Sequence, residues 1–159
     1  MIQYANNEHI EIIEEIIEHI EYLIGRRMKT IQFEDEEIAR LELENNFSEI
    51  QGCIQRKEAD LLDLMEYHAI KNKLVQAKFN PTIDNMEPAI TYVTKKINDI
   101  NENIRHLDII IERQMEQFEI VGTPPSKSIL EKHKSYKMMN QINNTNLMIL
   151  QSACRIKIE

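Results

Sequence analysis

IDNMEPAITYVTKKINDINENIRHLDIIIERQMEQFEIV, residues 83–121, decides the fold. Its apolar residues fall at Ile83, Met86, Ile90, Val93, Ile97, Ile100, Ile104, Leu107, Ile111, Phe118 and Val121, with Gln114 the one polar member of the series. The steps alternate between three and four residues. A strand turns every second side chain to one face and cannot produce that spacing, whereas a helix lines up every third or fourth residue on one stripe. The pattern is the a/d seam of a coiled coil. At 1.5 Å per residue it predicts a helix roughly 60 Å long, whose seam needs other helices to cover it. The flanking positions Ala89, Thr94, Asn101, Asn103, Ile110, Met115 and Gln117 carry no charge, so the seam is expected inside a bundle rather than in a simple two-stranded zipper. Gln114 then reads as a polar core residue that fixes register.

Working outward, Asn80-Pro81 is a turn and an apolar, helix-forming stretch precedes it. Glu34, Asp35, Glu36 and Glu37 supply an acidic first turn and Lys71, Lys73 and Lys78 a basic end, which predicts a helix over about 34–79. Asn45-Asn46-Phe47-Ser48-Glu49 is its weak place, because Asn46 and Glu49 have capping-box spacing. The helix is nevertheless read as continuous. A first helix is expected over about 8–28, capped by Asn7, with Ile10, Ile13, Ile17, Ile20 and Ile24 on one stripe and Ile12, Ile16 and Leu23 beside it. Thr30–Phe33 reads as the connection. Beyond the organising helix (about 82–121), Gly122 and Pro124-Pro125 form a stop, and Ser128 with Glu131 a capping box that opens a last helix over about 128–157. Met139, Ile142, Ile149, Ala153 and Ile156 mark one stripe there and Tyr136, Leu147, Leu150 and Cys154 another, interrupted by Asn140, Asn143, Asn144 and Asn146. Pro88 requires either that the third helix begin near it or that its first turn be kinked.

Short turns make successive helices antiparallel neighbours. The expectation is one all-α domain over residues 1–159: an elongated antiparallel bundle of four helices on a long coiled-coil-like hairpin with its tip at Asn80-Pro81. Val75, Phe79, Met86 and Ile90 near that tip should lack covering helices and pair with a second copy, making a homo-oligomer. The composition agrees with long helices: of 159 residues, 3 are Gly and 4 Pro, with 42% hydrophobic. A net charge of -8 with dispersed Lys and Arg disfavours direct nucleic-acid binding. Every apolar run is broken by charge before it could span a bilayer, the start has no signal-peptide pattern, and Cys53 and Cys154 form no metal or redox motif. A cytoplasmic protein without membrane attachment is expected.

No histidine follows a glutamate at the Glu-x-x-His spacing of a di-iron bundle, and no phosphate loop or nucleophile elbow is present. Glu14-Glu15-Ile16-Ile17-Glu18 and Glu36-Glu37-Ile38-Ala39-Arg40 resemble the two acidic motifs of the all-α, MazG-like nucleotide pyrophosphohydrolases, with Arg40 where the family has an aspartate. That resemblance implies a magnesium-dependent hydrolase on nucleoside triphosphates. The residues themselves favour a protein-binding scaffold or adaptor that self-associates, with no catalytic residue, metal or cofactor. An alternative rests on Glu11, Glu15 and Glu18: an acidic stripe without basic neighbours has the charge to block a basic nucleic-acid-binding groove on a partner enzyme.

Overall fold

The computed structural model describes residues 7–158, with side chains described for residues 7–154. It is an all-α bundle of four helices: α1 (Glu8–Leu43), α2 (Phe47–Phe79), α3 (Ile83–Val121) and α4 (Lys127–Ile158). No strand occurs among the described residues. The third and fourth helices fall where periodicity and stop signals put them. The first two do not. The expected helices over about 8–28 and 34–79 are replaced by one that runs through Thr30–Phe33 and another that starts at Phe47. Residues 30–33 contain neither Gly nor Pro, and the Thr30 hydroxyl donates to the Arg26 carbonyl at 3.1 Å, so the helix absorbs them.

The break falls at Glu44–Asn46, and its cause is local. Asn45 has φ 56°, the left-handed conformation that Asn tolerates better than most residues. The Asn46 N–H donates to the Leu41 carbonyl at 3.0 Å and the Asn45 N–H to that of Glu42 at 3.2 Å. These two bonds make a Schellman motif, which satisfies the last carbonyls of α1 and turns the chain. Asn46 precedes α2 without a side-chain cap, because its Oδ1 accepts the Ser48 hydroxyl at 3.1 Å instead.

The chain divides into two compact units, with boundaries between His9 and Ile10 in α1 and between Pro88 and Ala89 in α3, so that the described residues before Ile10 belong with those from Ala89 onward. In Ile10–Pro88, α1 and α2 lie antiparallel. Lys78 pairs with Glu14 at 3.1 Å, Lys71 with Glu21 at 3.1 Å, and Lys57 with Asp35. Between the first two pairs each helix advances by one heptad, and between the last two by two heptads, so the two helices keep one register throughout. Ile13, Leu74, Ala77 and Met86 are wholly buried in this unit, with Ile12, Ile16, Ile20, Ile24 and Leu41 close to it. Thr82 opens α3 by accepting the Asn85 N–H on its hydroxyl at 3.2 Å, while the Asn85 amide donates to the Asn80 carbonyl at 3.1 Å. Helix α3 therefore starts at Ile83 and contains Pro88. Having no N–H, Pro88 leaves the Asp84 carbonyl without its helical donor.

In the unit built from Ala89 onward, α3 and α4 lie antiparallel. His133 meets Asp108 at 2.6 Å and the Asn140 amide donates to Asn101 Oδ1 at 2.7 Å, again one heptad apart on both helices. The half-buried and buried series on α4 is Ile129, His133, Tyr136, Asn140, Asn143, Leu147, Leu150 and Cys154, in steps of four and three. It contains the expected stripe of Tyr136, Leu147, Leu150 and Cys154; the other expected stripe is corrected, since Met139 and Ile142 are exposed, Ile149 is half-buried and Ala153 is buried. The side chain of Ile156 lies outside the described residues. The asparagines are buried because they are satisfied. Asn140 also donates to the Ile97 carbonyl at 3.2 Å, and Asn143 donates to Asn140 Oδ1 at 3.4 Å.

Gly122, at φ 79°, ends α3 by donating to the Phe118 carbonyl at 2.9 Å. Gln114 reaches across the turn and accepts the Ser126 N–H at 2.8 Å, one of the donors that the start of α4 leaves unpaired. Helix α4 begins at Lys127, so Ser128 and Glu131 lie within it rather than at its cap. The odd polar residue of the seam is thus a clamp on the next helix.

Candidate functional site

The residues expected to make contacts do not form one patch. Glu11, Glu15 and Glu18 are exposed along the first turns of α1, while their neighbours Glu14 and Glu21 are held by Lys78 and Lys71. Val75 and Phe79 are exposed at the end of α2, Ile90 is half-buried, and Met86 is wholly buried. The Asn80–Thr82 turn is therefore mixed: Phe79 and Ile83 are exposed on either side of it, while Leu74, Ala77 and Met86 are fully covered.

The two acidic motifs lie on a single helix. Glu14–Glu18 and Glu36–Arg40 both belong to α1, and the 22 residues from Glu14 to Glu36 place them roughly 33 Å apart at 1.5 Å per residue. One magnesium ion takes its ligands at about 2 Å, so these motifs cannot share one. Arg40 is occupied as well, pairing with Glu44 at 2.8 Å and with Glu37. Among the described residues no cluster of three or more His, Cys, Asp or Glu could hold a metal. His106 lies 3.5 Å from Glu102 on the surface.

What the sequence reading missed is a polar cluster inside the α1–α2 pair. Arg27 bonds Asp60 at 2.8 Å and Asp63 at 3.2 Å. Glu34, buried at 8% exposure, lies against Asp60 and leaves its Oε2 without a partner. Burial pushes the Glu34 carboxyl up to about 7, aided by its hydrogen bond to Asp60 and by that carboxylate's charge, with Arg56 opposing. Beside the cluster a cavity of about 150 Å³ is lined by Leu23, Arg26, Arg27, Thr30 and Tyr67. A second, of about 440 Å³, lies at the α3–α4 turn between Gln114, Gln117, Val121, Thr123, Pro124 and Ser126. Neither lining pairs a nucleophile with a base. Cys53 and Cys154 are free and buried, and burial raises the Cys154 thiol, which keeps it protonated and unreactive.

The remaining feature is apolar surface on both helix pairs. On the first pair Phe33, Leu43 and Phe47 are exposed toward the α1–α2 turn, Leu62 and Met65 midway along α2, and Phe79 and Ile83 at the opposite end. On the other pair Phe118, Ile120 and Val121 end α3 in the open, and Met138, Met139, Ile142 and Met148 are exposed on α4. Scattered apolar residues are normal on a protein surface. Here they stand outside while Asn140 and Asn143 stand inside. No helix is long and apolar enough to cross a membrane among the described residues. No protein-family model matches the chain, and no curated protein or solved structure matches it.

Proposed function

We propose that this protein acts by binding, as a helical scaffold or adaptor that associates with itself and presents helix faces to protein partners. The observation that carries the reading is the inversion on α4, where two asparagines occupy the seam and Met138, Met139, Ile142 and Met148 face outward. Fully burying a side chain such as Ile or Met is worth roughly 1.5–3 kcal/mol, so a face of this composition is stabilised by a covering surface. A satisfied asparagine layer fixes register at the expense of stability, as in interaction coiled coils. The chemistry of the described cavities adds no competing catalytic arrangement, and the acidic motifs on α1 stand too far apart for a shared magnesium site.

Sedimentation equilibrium of the full chain across a wide dilution series tests this. The expected mass is at least twice the 18.8 kDa of one chain, falling toward it on dilution. A mass of one chain at every concentration overturns self-association.

A further inference from the structure

The α3–α4 pair carries a charge division that says which surface meets which. From Leu107 to Val121, α3 holds Asp108, Glu112, Glu116 and Glu119 against Arg113 alone. From Lys127 to Met139, α4 holds Lys127, Lys132, Lys134 and Lys137 against Glu131 alone. One arm is acidic and the other basic. Yet the only ion pair joining these arms among the described residues is His133 with Asp108. The opposite charges are left facing outward rather than spent within the pair.

We infer that a second copy of this chain packs on this hairpin about a two-fold axis, with α3 of each copy lying antiparallel on α4 of the other to form a four-helix bundle. This rests on the binding reading above and names its partner and surface. A two-fold contact is self-complementary, so whatever α3 offers must suit α4. Both requirements are met. In sign, the acidic arm of each copy lies on the basic arm of its partner, which steers association and fixes orientation. In shape, the contacts within the hairpin put Asp108 level with His133 and Asn101 level with Asn140. A two-fold axis running along the helices keeps those levels between the copies, so that Asp108 of one chain lies level with Lys132 and Lys134 of the partner chain, and Glu112 and Glu116 lie on either side of the level of its Lys127. Phe118, Ile120, Met138 and Met139 on the same arms are exposed in the single chain, with Ile120 at 84%.

The test uses two full-length variants, one carrying Glu112→Lys, Glu116→Lys and Glu119→Lys, the other Lys132→Glu, Lys134→Glu and Lys137→Glu. Each alone presents two arms of one sign and is expected to sediment as a single chain. Mixed in equal amounts, they are expected to regain a two-chain mass, weakened by added salt. Circular dichroism checks that each variant keeps the parent helix content. If the parent chain associates and the variants associate equally well alone, this surface is not the interface, while the binding reading stands. If the folded variants stay single when mixed, charge complementarity between the arms is refuted. If the parent chain never associates, both the inference and self-association fall.

Discussion

Glu34 is the only buried carboxylate among the described residues, and its proton makes the α1–α2 pair sensitive to pH. Its ordinary value is 4.5 and burial beside Asp60 raises it to about 7. Between those values the folded chain binds more protons than the unfolded one, so stability falls as pH rises. The contribution of the protonated form is complete below the lower value and is lost as pH passes the upper. Glu34→Gln keeps a donor toward Asp60 and removes the charge. It is expected to leave the melting temperature nearly unchanged at about pH 5 and to stabilise the protein by about 1 kcal/mol at about pH 8. Thermal melts at both values check this, and an equal effect at both would contradict it. The sequence showed Glu34 only as an acid in the first turn of a helix. Whether such a residue is solvated depends on what lies across from it, and the Arg27, Asp60 and Asp63 cluster spans 33 residues or more of chain.

At the scale of elements, turn chemistry decided where helices stop. Gly122 and the prolines after it were legible because both features forbid continuation by sterics alone. The stop at Asn45 was visible as a weak place, but an asparagine may equally remain helical, so residue type leaves the outcome open. The left-handed φ of Asn45 makes the assignment testable. Asn45→Gly is expected to preserve the turn with a stability change within about 0.5 kcal/mol, and Asn45→Val to destabilise by about 1–2 kcal/mol. Urea melts of both variants measure the difference; a harmless valine would mean that the backbone there is not held left-handed. On α4 the stripe of Tyr136, Leu147, Leu150 and Cys154 was legible, while Met139 and Ile142 were placed on a covered stripe and are exposed. Pattern reading follows apolar residues to the core, and here Asn140 and Asn143 occupy it through bonds to Asn101 and the Ile97 backbone that only the paired helix supplies. Gln114 was correctly singled out on the seam, but its bond to the Ser126 N–H depends on the turn bringing α4 back.

For the whole molecule, the all-α class followed from 3 glycines, 4 prolines and a heptad seam, since few residues were available to turn the chain. The binding surface was less legible. Of the apolar residues near the Asn80-Pro81 turn that were expected to be bare, Val75 and Phe79 are exposed, Ile90 is half-buried and Met86 is wholly buried, and further exposed residues lie on other parts of the helices. Sequence periodicity places residues on a stripe without saying which stripe is covered. A net charge of -8 concealed the acidic and basic arms of α3 and α4, which nearly cancel each other in the sum. The central claim is that these arms are the meeting surface. Amide hydrogen exchange of the full chain, compared between dilute and concentrated solution, tests it most directly because helix segments covered by a partner chain open locally less readily than the same segments in the single chain. Exchange over residues 107–142 is expected to slow at high concentration, with the rest of the chain changing less. Exchange that is independent of concentration there, or slowed only in α1 and α2, would contradict the account.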